Sequence, residues 1–261
     1  MSSASQGWDR LGADRQGALV LAVDFDGSIR QEATFRHLAR LLPDRLDVWH
    51  AVPPTTDTEH ADQYLAWWLE TLPRPGERVS AVLGYCAGGV YASALADALE
   101  LRQQVRPEVV LFNPGSPTGA TLSRDLFGAL GSMSALEQHE QQQFRHRAEE
   151  LAERCGGDFT ALADGFCAVY TDACRIAFDR WGIDGDVGDE LTGLFRAYTR
   201  YLSAARQLGH RPRWADARSL NSAEHDGGFT GSETAFDSSR AELLRNPDVA
   251  AAVTAMLTVT S

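Results

Sequence analysis

One short segment of the chain combines a reactive residue type with the spacing that a catalytic turn needs. The segment Gly84-Tyr85-Cys86-Ala87-Gly88-Gly89 follows an apolar run, Val79–Leu83, and opens a helix-prone run, Val90–Leu101. A sharp turn from strand to helix needs small residues on both sides of the nucleophile, because neighbouring backbone crowds the positions that the glycines occupy. The pattern predicts a nucleophile elbow that carries cysteine where serine is usual.

Cys86 is the candidate nucleophile of this turn. A thiol at the first turn of a helix meets unpaired amide groups and the positive end of the helix dipole, and both favour the thiolate. The thiolate is the reactive form of the side chain. The competing interpretation is a buried cysteine that packs as a small apolar residue.

Covalent catalysis by a cysteine also needs amide donors for the oxyanion of the transition state. The backbone N–H of Ala87 offers the first donor, and we predict the second at Asp26 or Phe25, in the loop after the first predicted strand. Asp24 and Asp26 place two carboxylates in that loop. Because negative charge opposes an oxyanion, we interpret these carboxylates either as a site for a substrate ammonium group or as solvated loop side chains.

The candidate base is His225, in a Gly-rich stretch late in the chain where a strand end can deliver a histidine to the nucleophile. A solvated loop histidine is the alternative for this residue. His210 is the weaker candidate for the base. Asn113 ends the apolar run that follows the elbow helix, and its amide is placed to orient a histidine, which would give a Cys-His-Asn set. The adjacent Pro114 and Gly115 suit a plain turn equally well.

Composition restricts the classes of function. The chain has 261 residues, 44% of them hydrophobic, which suits a globular domain that needs neither disulfides nor metal. Four cysteines without a C-x-x-C pair, no membrane-length apolar stretch and a polar N-terminus predict a cytoplasmic protein without a structural metal. The net charge of -12 argues against nucleic acid as a partner, and a chain without lysine cannot use Schiff-base chemistry.

The elements that must position these residues alternate in the first half of the chain. Apolar runs alternate with helix-period segments, which predicts an α/β fold with a mostly parallel central sheet flanked by helices. Later in the chain we expect two short strands and a last helix. The predicted strands are 18–25, 45–52, 78–84, 108–113, 215–221 and 233–236, and the predicted helices are 31–42, 57–72, 88–101 and 246–257.

Consecutive helical segments interrupt this alternation. Between residues 123 and 207 apolar side chains recur at helical spacing, and no strand is predicted there. We predict one α/β domain over 1–261 with a helical insertion over 117–208, which would act as a lid above the elbow. The alternative is a helical subdomain with only a packing role.

These segments together resemble the thioesterase domains of nonribosomal peptide and polyketide synthases, a branch of the α/β-hydrolases. The resemblance covers most of the chain outside the helical insertion. It implies an α/β-hydrolase fold, and the elbow is the part that is specific for the superfamily. The matching segments are 35–42 (FRHLARLL), 84–89 (GYCAGG), 109–113 (VVLFN) and 242–250 (ELLRNPDVA).

The chain departs from the family pattern at three positions. Family members generally carry serine at the elbow, and the minority with cysteine includes transferases that move aminoacyl groups between carrier proteins. Asn113 stands where the synthase-embedded members carry aspartate, and Arg240 stands where the catalytic histidine precedes a Leu-Leu pair. Either His225 takes over the role of base or the enzyme works without a conventional base. Asp226 is an alternative aspartate, because free-standing editing thioesterases carry theirs after a later strand.

The resemblance and its departures predict an acyl or aminoacyl transferase of natural-product biosynthesis. It would take a thioester-bound group from a phosphopantetheinyl carrier protein onto Cys86 and pass it to an acceptor, with no bound cofactor of its own. A cysteine exchanges one thioester for another of similar energy, and it depends less on a strong base than serine does. Loss of the usual aspartate and histidine therefore weakens water activation more than thiol exchange.

Three alternatives stay open. A thioesterase that hydrolyses or cyclises its acyl chain needs His225 as a competent base. A dienelactone-hydrolase-like enzyme would share a Gly-Tyr-Cys-x-Gly-Gly elbow, but its later aspartate and histidine are not found in this chain. An inactivated hydrolase fold would serve only as a binding partner.

Overall fold

A computed structural model describes residues 6–12, 17–26, 32–54, 58–182, 185–209 and 212–258. The chain divides into two units. Unit 1 contains the described residues up to Phe25, those from Glu32 to Ser116 and those from Ala205 onward. Unit 2 contains Asp26 and the segment Pro117–Ala204. The predicted insertion over 117–208 nearly coincides with the long segment of unit 2, and its role as a lid stays a prediction.

One sheet forms the centre of unit 1. Its strands are β1 (Trp8–Arg10), β2 (Ala18–Val23), β3 (Leu46–Ala51), β4 (Val79–Tyr85), β5 (Glu108–Phe112), β6 (Arg218–Asn221) and β7 (Ser232–Ala235). Their order in the sheet is β1-β3-β2-β4-β5-β6-β7. Every neighbouring pair is parallel except β1 and β3. The sequence thus predicts the α/β class and the parallel strands correctly.

The helices lie between the strands and after the last strand along the chain. They are α1 (Phe35–Leu41), α2 (Ala61–Glu70), α3 (Gly88–Gln103), α4 (Gly119–Ser132), α5 (Gln138–Cys155), α6 (Phe159–Trp181), α7 (Gly185–Leu208) and α8 (Pro247–Thr258). Unit 2 is built from α4, α5, α6 and most of α7, so the predicted run of consecutive helices is present. Two short 3-10 helices, Pro212–Asp216 and Leu243–Arg245, complete unit 1.

Strand β1 was not predicted from the sequence, and β6 begins later than predicted. Strand β1 has only three residues, which is too short for the alternation of apolar and polar residues to be visible. It pairs antiparallel with β3 at the edge of the sheet. Strand β6 begins at Arg218 because the preceding Pro212–Asp216 segment winds into a 3-10 helix.

Side chains of β4 alternate between the two faces of the sheet, so Tyr85 and Gly84 face opposite sides. Ala81, Leu83 and Tyr85 belong to the buried cluster that α1 and α8 cover. Gly84 points to the opposite face, where a Cβ would lie 2.6 Å from the Cα of Gly89 in α3. Strand β4 lies between β2 and β5, so its last residues are flanked by the ends of two parallel strands.

The turn between β4 and α3 depends on close backbone contact. A Cβ on Gly88 would lie 2.0 Å from the carbonyl oxygen of Val23, the last residue of β2. At Gly84 and Gly88 the crowding is by backbone atoms, which cannot move aside as a flexible side chain can. At Gly89 the nearest atom is the Cδ2 of Leu111 at 3.3 Å, so only a side chain has to adjust. The predicted need for small residues is thus strongest at the first two glycines.

We expect Gly88→Ala to lower the free energy of unfolding by about 3 kcal/mol or to prevent folding, because the added methyl overlaps backbone. Urea denaturation followed by circular dichroism measures the effect. Gly128→Ala is the matched control, since Gly128 lies in α4 and an added Cβ there would have nothing within 4 Å. That variant should stabilise the protein by about 0.5–1 kcal/mol. Equal effects of the two substitutions would contradict the contact between Gly88 and β2.

Candidate active site

Cys86 occupies the turn between β4 and α3 in a strained conformation. Its φ is +50°, in the left-handed region that residues with a Cβ seldom adopt. Its N–H donates to the Phe112 carbonyl at 2.9 Å, and its carbonyl accepts from the Gly89 N–H at 3.0 Å. Such a conformation costs about 1–3 kcal/mol and persists only where the surroundings enforce it. The predicted elbow geometry is therefore present, with a partly exposed cysteine at its apex.

The backbone N–H of Ala87 is the candidate oxyanion donor next to Cys86. It has no acceptor within the described residues. The close approach of Gly88 to Val23 also brings the start of the next loop to the elbow, since a Gly88 Cβ would lie 3.2 Å from the Cα of Asp24. Phe25 follows Asp24 in this loop, and its role as second donor stays a prediction. Asp26 is exposed and belongs to unit 2.

Asp24 is buried rather than solvated. Its carboxylate Oδ1 lies 2.5 Å from the Nε2 of His50, and both side chains are almost inaccessible. This pair connects the loop after β2 to the neighbouring strand β3. The Asp24–His50 pair therefore holds the backbone that leads to Phe25 against β3. The role of Asp24 and Asp26 toward a substrate ammonium group stays a prediction.

We expect Asp24→Ala to lower the free energy of unfolding by about 3 kcal/mol, because it leaves His50 buried without its partner. Thermal and urea denaturation measure the loss. Asp26→Ala is the control, since Asp26 is exposed and the change should stay within about 0.5 kcal/mol. A loss at position 24 no larger than at position 26 would show that the buried pair contributes nothing.

Asn113 and Cys86 follow the ends of neighbouring strands. Tyr85 and Phe112 are paired in register, so Cys86 and Asn113 are the next residues along adjacent parallel strands. Asn113 is also left-handed, with a φ of +44°, and it is 1% exposed. Its Oδ1 accepts from the Ser222 N–H at 2.8 Å. Its Nδ2 has no partner among the described residues.

His225 is close to Asn113 in the fold, but its described hydrogen bonds are to Pro114 and Gly227. Its Nε2 lies 2.9 Å from the Pro114 carbonyl, and its Nδ1 accepts from the Gly227 N–H at 3.0 Å. A carbonyl can only accept, so Nε2 carries the proton and Nδ1 is the acceptor. Asp226 is exposed and has no hydrogen bond within the described part of the chain. The base role of His225 and the acid role of Asp226 stay predictions, and no described contact joins either residue to Cys86.

We expect His225→Ala to change the rate at which iodoacetamide alkylates Cys86 at pH 7 by less than about threefold, because both ring nitrogens are already engaged in the loop. Intact-protein mass spectrometry followed by peptide mapping gives the rate at each thiol. The same variant should lose about 1–2 kcal/mol of stability through its two hydrogen bonds. A fall of a hundredfold in alkylation would instead support His225 as the base.

Arg240 lies next to Tyr85, the residue that precedes Cys86. Its Nε lies 2.8 Å from Glu32 Oε1, and its Cζ lies 5.6 Å from the centre of the Tyr85 ring. Burial acts to lower the pKa of Arg240, but its electrostatic interactions with Cys86, Tyr85 and Glu32 outweigh burial and raise it. The guanidinium is therefore held as a cation beside Glu32 and the Tyr85 ring. The sequence identified this residue only as the replacement of a histidine.

The weaker candidate for the base has no assigned place in the site, because His210 lies outside the described residues. Within the described ranges, no three His, Cys, Asp or Glu side chains are grouped so that they could hold a metal ion. None of the described helices is long and apolar enough to cross a membrane.

Burial raises the thiol pKa of two other cysteines, Cys167 and Cys174. Burial raises the pKa of the Cys174 thiol to about 11, although its hydrogen bond with Tyr170 acts in the opposite direction. Burial also raises the pKa of the Cys167 thiol, against a hydrogen bond with Thr199 and the charge of Arg196. Both residues lie in α6, and neither is suited to react as a thiolate at neutral pH.

Comparison with known proteins gives matches in structure only. No family model matches the chain, and no curated protein sequence matches it. The Vlm2 thioesterase domain bound with a dodecadepsipeptide aligns over 98% of this chain and 97% of its own, with a TM-score of 0.51 and 14% identity. YbtT, a type II thioesterase from the yersiniabactin NRPS/PKS pathway, aligns over 97% of both chains, with a TM-score of 0.52 and 12% identity.

A third similar structure has a different activity. A bacterial membrane phospholipase A aligns over 97% of this chain and 82% of its own, with a TM-score of 0.51 and 13% identity. At these identities the likeness shows the fold alone, and it confirms the predicted α/β-hydrolase fold. Because one fold serves both thioesterases and a phospholipase, the chemistry of this chain has to be inferred from its own residues.

Proposed function

We propose that this chain is a thioesterase-fold acyl or aminoacyl transferase of nonribosomal peptide or polyketide biosynthesis. It takes a thioester-bound group from a phosphopantetheinyl carrier protein onto Cys86 and passes that group to an acceptor. The observation that carries the proposal is the strained, partly exposed Cys86 at the apex of the elbow. The thioesterases Vlm2 and YbtT, which share the fold, support a thioester as the substrate.

The chemistry of sulfur favours transfer over release. When the Cys86 thiolate attacks the carbonyl carbon of the donor thioester, a new C–S bond forms and the old C–S bond breaks, and the electron pair leaves on the carrier thiolate. One thioester is exchanged for another of similar energy, so the acyl group stays transferable. A serine ester would be a more stable product, and its formation needs a base to remove the hydroxyl proton.

Hydrolysis is the second candidate function, and it has a specific requirement. Water has to lose a proton as it attacks the acyl-enzyme, so hydrolysis needs a general base within reach of the carbonyl carbon. His225 is the candidate, but it donates to Pro114 and accepts from Gly227. The transferase interpretation needs no such base, and for this reason we prefer it to hydrolysis and to a non-catalytic scaffold.

The test of the proposal is acyl loading of the protein. We expect incubation with aminoacyl or acyl pantetheine thioesters, or with a loaded carrier protein, to add the acyl mass to Cys86. Neutral hydroxylamine should remove the adduct, as it does a thioester. Cys86→Ala should give no adduct, and Cys86→Ser should load at least about a hundredfold more slowly, because its hydroxyl has no base. Intact-protein mass spectrometry reports the adduct, and peptide mapping reports the residue.

Cys155→Ala is the matched control for loading, since Cys155 is also a partly exposed thiol but lies in unit 2 at the end of α5. This variant should load as the parent protein does. Rapid release of free acid without any acceptor would favour hydrolysis. An unmodified Cys86 after exposure to all these thioesters would contradict both enzymatic functions and favour the scaffold.

A further inference from the structure

We infer that the buried Asp24–His50 pair serves the reaction, because it positions the loop after β2 for the acylation of Cys86. Neither side chain touches the reacting atoms in this role, so both are positioning residues. The inference rests on the proposed function for the identity of the reaction. It adds two residues whose effect is confined to the steps in which negative charge develops on the carbonyl oxygen of the substrate.

The pair is a buried contact between neighbouring strands. Ala22 of β2 and His50 of β3 are register partners, and Asp24 lies two residues beyond Ala22. The Nε2 of His50 lies 2.5 Å from the Oδ1 of Asp24, and the two side chains are 4% and 1% exposed. Leu46 and Val48, which precede His50 at two-residue spacing, belong to the buried cluster that α1 and α8 cover. Loss of a partner is costly in such surroundings, so the pair holds the backbone at Asp24 in place.

The backbone at Asp24 lies against the elbow. A Cβ on Gly88, in the first turn of α3, would lie 3.2 Å from the Cα of Asp24. Cys86 precedes Gly88 by two residues in the same turn. Asp24 is buried, whereas Phe25 is half-buried and Asp26 is exposed. The pair therefore anchors the loop at the point where its backbone passes the elbow.

Acylation is the step that depends on this loop. When the Cys86 thiolate attacks a carbonyl carbon, a C–S bond forms and the carbonyl electron pair moves onto the oxygen, which then needs N–H donors. Ala87 is one candidate donor, and the second is predicted in the loop after β2, at Phe25 or Asp26. Misplacement of a catalytic group by about 1 Å can cost about a hundredfold in rate. Collapse of the oxyanion then expels the leaving group with its electron pair.

Alkylation of the same sulfur makes no such demand. Iodoacetamide reacts at a saturated carbon, where a C–S bond forms while the C–I bond breaks and iodide leaves with the electron pair. No charge develops on a carbonyl oxygen in that reaction. The ratio of the acylation rate to the alkylation rate of Cys86 therefore isolates the contribution of the oxyanion donors. A merely structural role of the pair would change both rates together.

The test compares acetylation of Cys86 by p-nitrophenyl acetate with its alkylation by iodoacetamide at pH 7. We expect His50→Leu to slow acetylation about ten- to hundredfold and to change alkylation by less than about threefold. His50→Gln keeps an N–H donor for Asp24, so it should restore acetylation to within about fivefold of the parent protein. Release of p-nitrophenolate gives the acetylation rate, and peptide mapping by mass spectrometry assigns the modified thiol.

A second variant covers the case in which His50→Leu does not fold. The double variant Asp24→Leu/His50→Leu replaces both groups by apolar side chains, a change that is often neutral for stability because no buried charge loses its partner. We expect it to show the same selective loss of acetylation. Circular dichroism and urea denaturation establish which variants are folded before their rates are compared.

Asp47→Asn is the matched control, since Asp47 is also a buried carboxylate on an ion pair of β3. Its Oδ1 lies 2.8 Å from the Nε of Arg10, at the beginning of the strand, and its side chain is 2% exposed. This variant should lower the stability of the protein. The ratio of acetylation to alkylation at Cys86 should stay within about twofold of the parent, because the loop after β2 keeps its anchor.

The outcomes separate this inference from the proposed function. A folded His50→Leu or double variant with the parent ratio of acetylation to alkylation would overturn the inference, even when pantetheine thioesters load Cys86. A parent ratio no higher than that of N-acetylcysteine would overturn it too, since no donor would then assist the oxyanion. If acetylation depends on His50 but no acyl or aminoacyl pantetheine thioester loads Cys86, the proposed function fails and the positioning role stands.

Discussion

The contact between the backbone of β2 and the first turn of α3 positions the turn that carries Cys86. Gly88 approaches the Val23 carbonyl so closely that a Cβ would meet it at 2.0 Å. This contact brings α3 directly against the end of β2. Cys86, in the turn between β4 and α3, has a left-handed conformation with a φ of +50°. The conformation is costly for a residue with a Cβ, and the packing of the sheet against α3 provides the free energy that maintains it. The same contact places the loop after β2 beside the elbow.

Polar residues around the elbow mostly serve to hold its loops. The buried Asp24–His50 pair connects the loop after β2 to β3. Asn113 uses its Oδ1 to fix the Ser222 N–H, so it joins the ends of β5 and β6. His225 joins the Gly-rich loop to Pro114. Each of these side chains has one of the residue types that catalysis commonly uses, and in each the described hydrogen bonds are structural.

The Arg240 guanidinium is a cation held beside Tyr85 of the elbow segment. An arginine has no lone pair that can accept a proton, so Arg240 cannot act as a general base. Glu32 and Tyr85 hold the guanidinium in place, so the arginine belongs to a cluster of side chains.

The α/β pattern, the elbow at 84–89 and the helical run between 123 and 207 follow from local composition, because periodicity and glycine spacing reflect short-range sterics. Cys86 was identified for the same reason. The contacts of Asp24 with His50, and of Arg240 with Glu32 and Tyr85, were not, since they join residues that are far apart in the sequence. Long-range pairs leave no periodic signal in a single sequence. The local pattern therefore determined where Cys86 stands in the fold, and only tertiary packing decided which distant residues pair around the elbow, because those pairs depend on how the chain folds back on itself.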